Sequence, residues 1–132
     1  MSNVTMTKTK RAKKVLVVED QGEMCLVLGL ILSDRNFEMD YVNNLLDADE
    51  YLSKNKPSMI ILDNKLPDGF GVDFISYVKK KYPKIKIIMI SGFTTARDVA
   101  MENGADAFLE KPFSMENVND AIDRVLSQKI GI

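Results

Sequence analysis

The stretch that decides the fold is Met59-Ile60-Ile61-Leu62-Asp63-Asn64-Lys65-Leu66-Pro67-Asp68-Gly69. It opens with four apolar residues, two of them β-branched, which is typical of a short strand buried on both faces. The run ends on the carboxylate of Asp63, and a Pro-Asp-Gly turn follows. We therefore place Asp63 at the carboxyl end of a strand. One acid at such a place is usually a turn residue, so its meaning depends on what ends the other strands.

Four other segments have the same strand-like character, and helical patterns separate them. Strands are predicted over residues 15–18, 38–42, 59–62, 85–90 and 105–109, and helices over residues 21–37, 45–55, 70–81, 94–103 and from Ser114 onward. The strands are too uniformly apolar for a sheet with one solvated face. The pattern therefore predicts the α/β class, with a single doubly wound, five-stranded parallel sheet and helices on both faces, as in flavodoxin-like proteins.

The predicted helices differ in how wide an apolar face they carry. The inward stripe of the first consists of Met24, Val27, Leu28, Ile31 and Leu32. Cys25, Leu26 and Leu30 widen that stripe, which indicates either a face for a partner or deeper burial. Gly104 is predicted to end the fourth helix in a left-handed conformation, and Ser114 to cap the fifth, without a full capping box because Asn117 stands at its third position.

The composition of the 132-residue chain is typical of one globular domain, which argues against a disordered class. No apolar run approaches the length of a membrane span, and the first residues contain no signal-peptide core. We expect a cytoplasmic protein with no membrane partner. With no histidine and one cysteine, Cys25, histidine-based triads, the usual zinc sites and an intramolecular disulfide are excluded. Any metal site must therefore be built from oxygen ligands.

Charge is unevenly distributed along the chain. The first 14 residues hold five basic and no acidic residues, whereas thirteen basic and nineteen acidic residues follow, a net charge of −6. We predict a disordered basic tail over residues 1–13 and one folded domain over residues 14–130. Because the folded part is acidic, we expect no direct binding to nucleic acid.

Polar residues stand at four of the predicted strand ends, where an open doubly wound sheet binds its ligands. They are Glu19, Asp20, Asp63, Ser91 and Lys111. Three carboxylates in one crevice repel each other unless a cation neutralises them, and oxygen ligands select Mg²⁺ or Mn²⁺. A carboxylate nucleophile, a metal, an ammonium and a hydroxyl are the groups that phosphoryl transfer needs.

In this order, these motifs resemble the receiver domain of bacterial two-component response regulators, over residues 14–128. The resemblance is carried by Val-Val-Glu19-Asp20, Ile-Leu-Asp63 with Leu-Pro-Asp-Gly, Ile-Ser91-Gly, and Gly104-Ala-Asp-Ala-Phe108-Leu-Glu-Lys111-Pro112-Phe. It implies the strand order 2-1-3-4-5. It also implies a signalling phosphoacceptor rather than an enzyme. Its partners would be a sensor histidine kinase or histidine phosphotransfer protein, which supplies the phosphoryl group from a phosphohistidine to Asp63, and a downstream protein target.

The resemblance further implies which residues bind the metal ion. Asp20 and Asp63 would bind Mg²⁺ directly, together with the backbone carbonyl of Lys65. Glu19 would act through a bound water.

The phosphoryl group and the response to it involve a second set of residues. Ser91 and Lys111 would contact phosphoryl oxygens, and the bond from Lys111 to Pro112 would be cis. Ser91 would move inward, and Phe108 would turn in behind it by packing alone, since it lacks a tyrosine hydroxyl. Lys65 and Phe93 match positions that flank the approach of hydrolytic water, whereas Ala96 and Met101 match the usual output face.

Three other readings share parts of this pattern. A flavin-binding protein of this fold needs a Ser/Thr/Gly-rich loop after the first strand, but Glu19-Asp20-Gln21 stands there. A phosphatase with an aspartate nucleophile carries an Asp-x-Asp pair at the first strand, which this chain lacks. The remaining alternative is a phosphorylation-independent pseudo-receiver that acts as a protein-binding module, and Mg²⁺ binding would discriminate it from an active receiver.

Overall fold

The computed structural model describes residues 13–127 of the chain. Over this range the main elements are β1 (Lys13–Val18), α1 (Gly22–Asp34), β2 (Phe37–Val42), α2 (Leu45–Lys54), β3 (Met59–Asp63), β4 (Lys65–Leu66), β5 (Gly69–Phe70), α3 (Gly71–Lys81), β6 (Lys86–Ser91), α4 (Ala96–Glu102), β7 (Ala107–Glu110) and α5 (Met115–Ser127). The predicted basic tail lies outside the described residues, except for Lys13 at the start of β1. Residues 128–130 of the predicted domain also lie outside them. No helix within residues 13–127 is long and apolar enough to cross a bilayer.

Five strands form one parallel sheet in the order β2-β1-β3-β6-β7. Counted within this sheet, the order is 2-1-3-4-5, which confirms the predicted doubly wound arrangement. The central strand, β3, is buried along its whole length. Its register pairs Val18 with Leu62 and Asp63 with Ile90, so the carboxyl ends of the strands meet at one edge of the sheet.

The core consists of two apolar layers, one on each face of the sheet. Helices α1 and α5 cover the layer that includes Met59 and Ile61, whereas α2, α3 and α4 cover the layer that includes Ile60 and Leu62. Each fully buried aliphatic side chain contributes roughly 1.5–3 kcal/mol to folding. Burial of both faces explains why the strands read as continuous apolar runs rather than as alternating ones.

Helix α1 is shorter than predicted and exposes more of its apolar residues. It ends at Asp34 because Asn36 has a φ of 65°, a left-handed conformation that redirects the chain, so Phe37 begins β2 instead of ending the helix. Val27, predicted to face inward, is 47% exposed, and Leu26 and Leu30 are more than 70% exposed. Of the residues that widen the stripe, only Cys25 is buried.

A short antiparallel ribbon, β4 with β5, occupies the segment for which the sequence predicts only a Pro-Asp-Gly turn. Two residues per strand give too short a pattern to detect, and the ribbon depends on contacts outside itself, since Leu66 packs against the core layer under α2 and α3. Helix α3 consequently begins at Gly71 rather than at residue 70.

The predicted fourth helix and last strand are both present, as α4 and β7, but their bounds differ from the prediction. Helix α4 begins two residues later than predicted, and β7 also starts and ends later than predicted. Gly104 has a positive φ of 111°, as expected. At α5, Ser114 caps the helix by accepting a hydrogen bond from the Asn117 N–H at 3.0 Å. The prediction of an incomplete capping box was wrong, because the Asn117 side chain accepts a reciprocal bond from the Ser114 N–H.

Candidate functional site

The carboxyl edge of the sheet brings together the polar residues predicted to meet there. Glu19 follows β1, Asp63 ends β3 and Ser91 ends β6, and all three are buried. Asp20 is exposed, and Lys111 follows β7. A cleft of about 440 Å³ opens at this edge, and its lining includes Asp20, Asp63, Lys65, Ser91, Phe93 and Lys111. Glu19 lies beside the cleft and does not line it.

Three carboxylates form a compact cluster, and one lysine faces two of them. Oxygen atoms of Glu19, Asp20 and Asp63 all lie within 4.8 Å of one another. The Lys111 Nζ is 3.1 Å from Asp63 Oδ1 and 3.5 Å from Glu19 Oε1. The second distance is too long for a well-formed hydrogen bond. The cluster therefore holds more negative charge than its lysine balances.

Glu19 shows the consequence of this imbalance most directly. Its Oε2 accepts a hydrogen bond from the Gln21 N–H at 3.2 Å, but its Oε1 is buried without a hydrogen-bond partner among the described residues. Burial, followed by the negative charge of Asp63, raises the pKa of Glu19 to about 7, although Lys111 acts in the opposite direction. A buried acceptor without a partner is costly, so the site favours an added cation.

The donor set fits a hard divalent cation. Every candidate ligand is an oxygen atom, which suits Mg²⁺ or Mn²⁺, and neither histidine nor a second cysteine is present in the chain to favour zinc. The Glu19 Oε1 accepts no hydrogen bond within the described residues, and the ammonium 3.5 Å from it, that of Lys111, also faces Asp63. The residues at the cleft therefore fit the predicted metal.

Backbone contacts hold Ser91 and Lys111 next to the acids. The Ser91 Oγ accepts a hydrogen bond from the Phe93 N–H at 3.0 Å, which leaves its hydroxyl hydrogen to donate elsewhere. The Ser91 carbonyl accepts from the Lys111 N–H at 2.9 Å, so the two residues share one backbone link. The peptide bond from Lys111 to Pro112 is cis, as predicted.

Two aromatic residues near the cleft each lie beside a cation. At the mouth, the Lys65 Nζ is 6.0 Å from the centre of the Phe93 ring, and Phe93 is 60% exposed. On β7, Phe108 is half-buried, and the Arg97 guanidinium of α4 lies 5.1 Å from its ring centre. Such contacts contribute about 0.5–1 kcal/mol at exposed positions.

Sequence reasoning missed Asn64 and Gly71, which shape the loop after Asp63. The Asn64 side-chain oxygen accepts a hydrogen bond from the Val72 N–H at 3.1 Å. The backbone carbonyl of Asn64 accepts one from the Gly71 N–H at 2.7 Å. A Cβ at Gly71 would collide with the Asp63 carbonyl oxygen, so only glycine fits there. An asparagine after a strand, seven residues before a glycine, was a possible signal for this turn.

Comparison with known proteins gives a consistent result. A family model for the response regulator receiver domain matches residues 15–123. Sporulation initiation phosphotransferase F of Bacillus subtilis is 24% identical over 89% of this chain and 96% of its own length. Transcriptional regulatory protein BasR of Escherichia coli is 30% identical over 86% of this chain and 52% of its own length. The chain spans about half or less of most of the curated relatives that it matches.

A solved structure gives the same answer for the fold. The solution structure of the beryllofluoride-activated NtrC4 receiver domain dimer superposes with a TM-score of 0.79 at 32% identity, covering 86% of this chain and 97% of that one.

Proposed function

The chain belongs to the response regulator receiver domain family, and on that premise we propose that it accepts a phosphoryl group on Asp63 in a Mg²⁺-dependent reaction. The observation that carries the proposal is a buried carboxylate, Asp63, which lines an open cleft with two further acids close by and the Lys111 ammonium 3.1 Å away. The donor would be a phosphohistidine of a sensor histidine kinase or a histidine phosphotransfer protein.

The transfer step balances without any further reactant. An electron pair of the Asp63 carboxylate forms a bond to phosphorus, while the bond from phosphorus to the donor's imidazole nitrogen breaks and its electron pair stays on that nitrogen. The product is an acyl phosphate on Asp63. Because the donor supplies the histidine, the chain itself needs none.

Residues of the cleft divide the remaining work. Mg²⁺ held by Asp20, Asp63 and the Lys65 carbonyl, with Glu19 acting through water, would offset the negative charge of the phosphoryl oxygens. Lys111 neutralises one oxygen and keeps Asp63 oriented through their ion pair. The Ser91 hydroxyl hydrogen, which is not used by the Phe93 contact, donates to another oxygen.

Phosphorylation would then be read by a protein target. The new group adds up to about two negative charges at the site. Ser91 moves toward it, and Phe108 follows into the space behind, away from Arg97. The face that responds includes α4 with Ala96 and Met101, and we propose a downstream protein rather than nucleic acid as its target.

Intact mass after incubation with acetyl phosphate tests the proposal. We expect one phosphoryl adduct that forms with Mg²⁺ and does not form when EDTA is present during the incubation. Asp63→Asn should abolish it, and Asp73→Asn, an exposed aspartate in the first turn of α3, should not. An adduct that persists in Asp63→Asn would show that the acceptor is assigned wrongly. Absence of an adduct in the unmodified chain, together with failure to bind Mg²⁺, would favour the pseudo-receiver alternative.

Beryllofluoride tests the switch separately, because a similar receiver domain has been described in a beryllofluoride-activated form. With Mg²⁺ present, we expect amide resonances of Ser91 and Phe108 to shift in the unmodified chain. In Lys111→Ala, we expect partial labelling by acetyl phosphate to remain, but beryllofluoride should no longer shift these amide resonances. Equal shifts in both proteins would mean that Lys111 does not couple the site to the switch.

A further inference from the structure

Asp68 makes a contact that its position in a turn does not predict. It lies between β4 and β5, and its carboxylate accepts two hydrogen bonds from the first turn of α2. The Leu45 N–H donates to Oδ1 at 2.8 Å, and the Leu46 N–H donates to Oδ2 at 3.0 Å. The Leu45 N–H holds the pKa of Asp68 below its ordinary value. A side chain 22 residues away in sequence thus caps this helix together with Asn44.

The ribbon that carries Asp68 also carries Lys65. Lys65 pairs with Phe70 and Leu66 pairs with Gly69, so the two strands form one antiparallel ribbon. The base of the ribbon is fixed to α3 through Asn64. Its tip is fixed to α2 through Asp68, and Gly69 packs so closely there that a Cβ would stand 3.1 Å from Leu45 Cδ1.

We propose that Asp68 is a positioning residue for the metal site, because its two bonds to α2 fix the ribbon and with it the backbone carbonyl of Lys65. This inference rests on the proposed function, in which that carbonyl is a metal ligand. Both bonds have a charged acceptor and lie at a helix N-terminus, where a negative charge is favoured. Substituting a residue that orients a metal ligand typically lowers metal affinity by about ten-fold or more.

A matched pair of variants separates positioning from helix capping. Asp68→Ala removes a cap of α2 and also the contact that attaches the ribbon to that helix. Asn44→Ala removes the other cap of α2, which accepts a hydrogen bond from the Asp47 N–H at 2.7 Å, and leaves the ribbon attached. We expect Asp68→Ala to weaken Mg²⁺ binding, measured by titration calorimetry, by about ten-fold. We expect Asn44→Ala to leave the affinity unchanged while lowering stability.

Amide hydrogen exchange in the metal-free protein provides a second measurement. Asp68→Ala should increase exchange at Leu66 and Phe70 as well as in the first turn of α2, and Asn44→Ala should increase it only in α2. Asp68→Asn, which keeps one acceptor oxygen, should give an intermediate affinity and guards against a variant that fails to fold.

The outcomes distinguish this inference from the proposed function. Wild-type affinity in Asp68→Ala, or an equal loss of affinity in Asn44→Ala, would overturn the positioning role while leaving the proposed function intact. Absence of Mg²⁺ binding in the unmodified chain would overturn the proposed function, and this role with it.

Discussion

Two lysine–aspartate pairs, Lys111 with Asp63 and Lys79 with Asp106, have the same nitrogen–oxygen separation of 3.1 Å. Both are largely removed from solvent. The second pair is embedded in backbone contacts, since Lys79 Nζ donates to the Ile85 carbonyl at 2.9 Å and Asp106 accepts from the Ile87 N–H at 2.8 Å. Each charged group of this pair therefore also makes a hydrogen bond with the backbone.

The first pair differs in its surroundings rather than in its own geometry. Lys111 faces Glu19 as well as Asp63, with Asp20 close by, and the Glu19 Oε1 has no hydrogen-bond partner in the described part of the chain. Two pairs of equal length thus have different surroundings. The pair of Lys79 and Asp106 connects elements of the fold, whereas the acids around Lys111 form a cluster that could bind a cation, as the proposed function requires.

Exchanging each aspartate for asparagine should affect stability differently in the two pairs. Asp106→Asn removes the partner of a largely buried lysine and should lower the free energy of unfolding by about 3 kcal/mol. Asp63→Asn removes one of several crowded acids and should leave it unchanged or higher. Urea unfolding in EDTA measures both. A comparable loss of stability in Asp63→Asn would mean that the first pair is also structural, and the contrast between them would fail.

The pH dependence of stability should reveal the excess acid through Glu19. Its folded pKa of about 7 lies above its ordinary value of 4.5, so the folded protein binds a proton more tightly than the unfolded chain does. In EDTA, this stabilisation is fully present below pH 4.5, is lost as the pH rises through about 7, and amounts to about 3 kcal/mol. Glu19→Gln should remove that part of the profile. Identical profiles in both proteins would contradict the assignment.

Removing the lysine of each pair should lower the rate of labelling in one case and only the stability in the other. We expect Lys111→Ala to slow labelling by acetyl phosphate about ten-fold, because a positive charge that faces the phosphoryl oxygens is lost. Lys79→Ala should lose stability but label at the unmodified rate per folded molecule. The time course of the phosphoryl adduct by intact mass gives both rates. Slower labelling in Lys79→Ala at a temperature where it is fully folded would break the distinction.

An exposed ion pair should show the smallest change in the free energy of unfolding among the pairs compared. Lys54 lies 3.5 Å from Glu50 one helical turn earlier in α2, and both side chains are at least 66% exposed. Lys54→Ala should change the free energy of unfolding by only about 0.3–0.5 kcal/mol, and less in high salt. An effect as large as that of Asp106→Asn would show that burial does not explain the difference among these pairs.

Much of the fold and of the site was predictable because it depends on local patterns. The apolar run at Met59 predicted a buried central strand, and residues at strand ends were predicted to meet because parallel strands point the same way. The errors fell where few residues decide the conformation. Asn36 ends α1 through a left-handed backbone, and the ribbon of β4 and β5 is too short to show a period.

The sequence by itself determined the order of the elements, the sheet and the residue types at its carboxyl edge, because these follow from periodicity and from the ends of apolar runs. Only the tertiary structure decided how the charges there are balanced. Lys111 reaches Glu19 across 92 positions of sequence, and Asp68 caps a helix 22 positions away. A sequence pattern carries no distances between such residues, and electrostatic and hydrogen-bond energies depend on those distances.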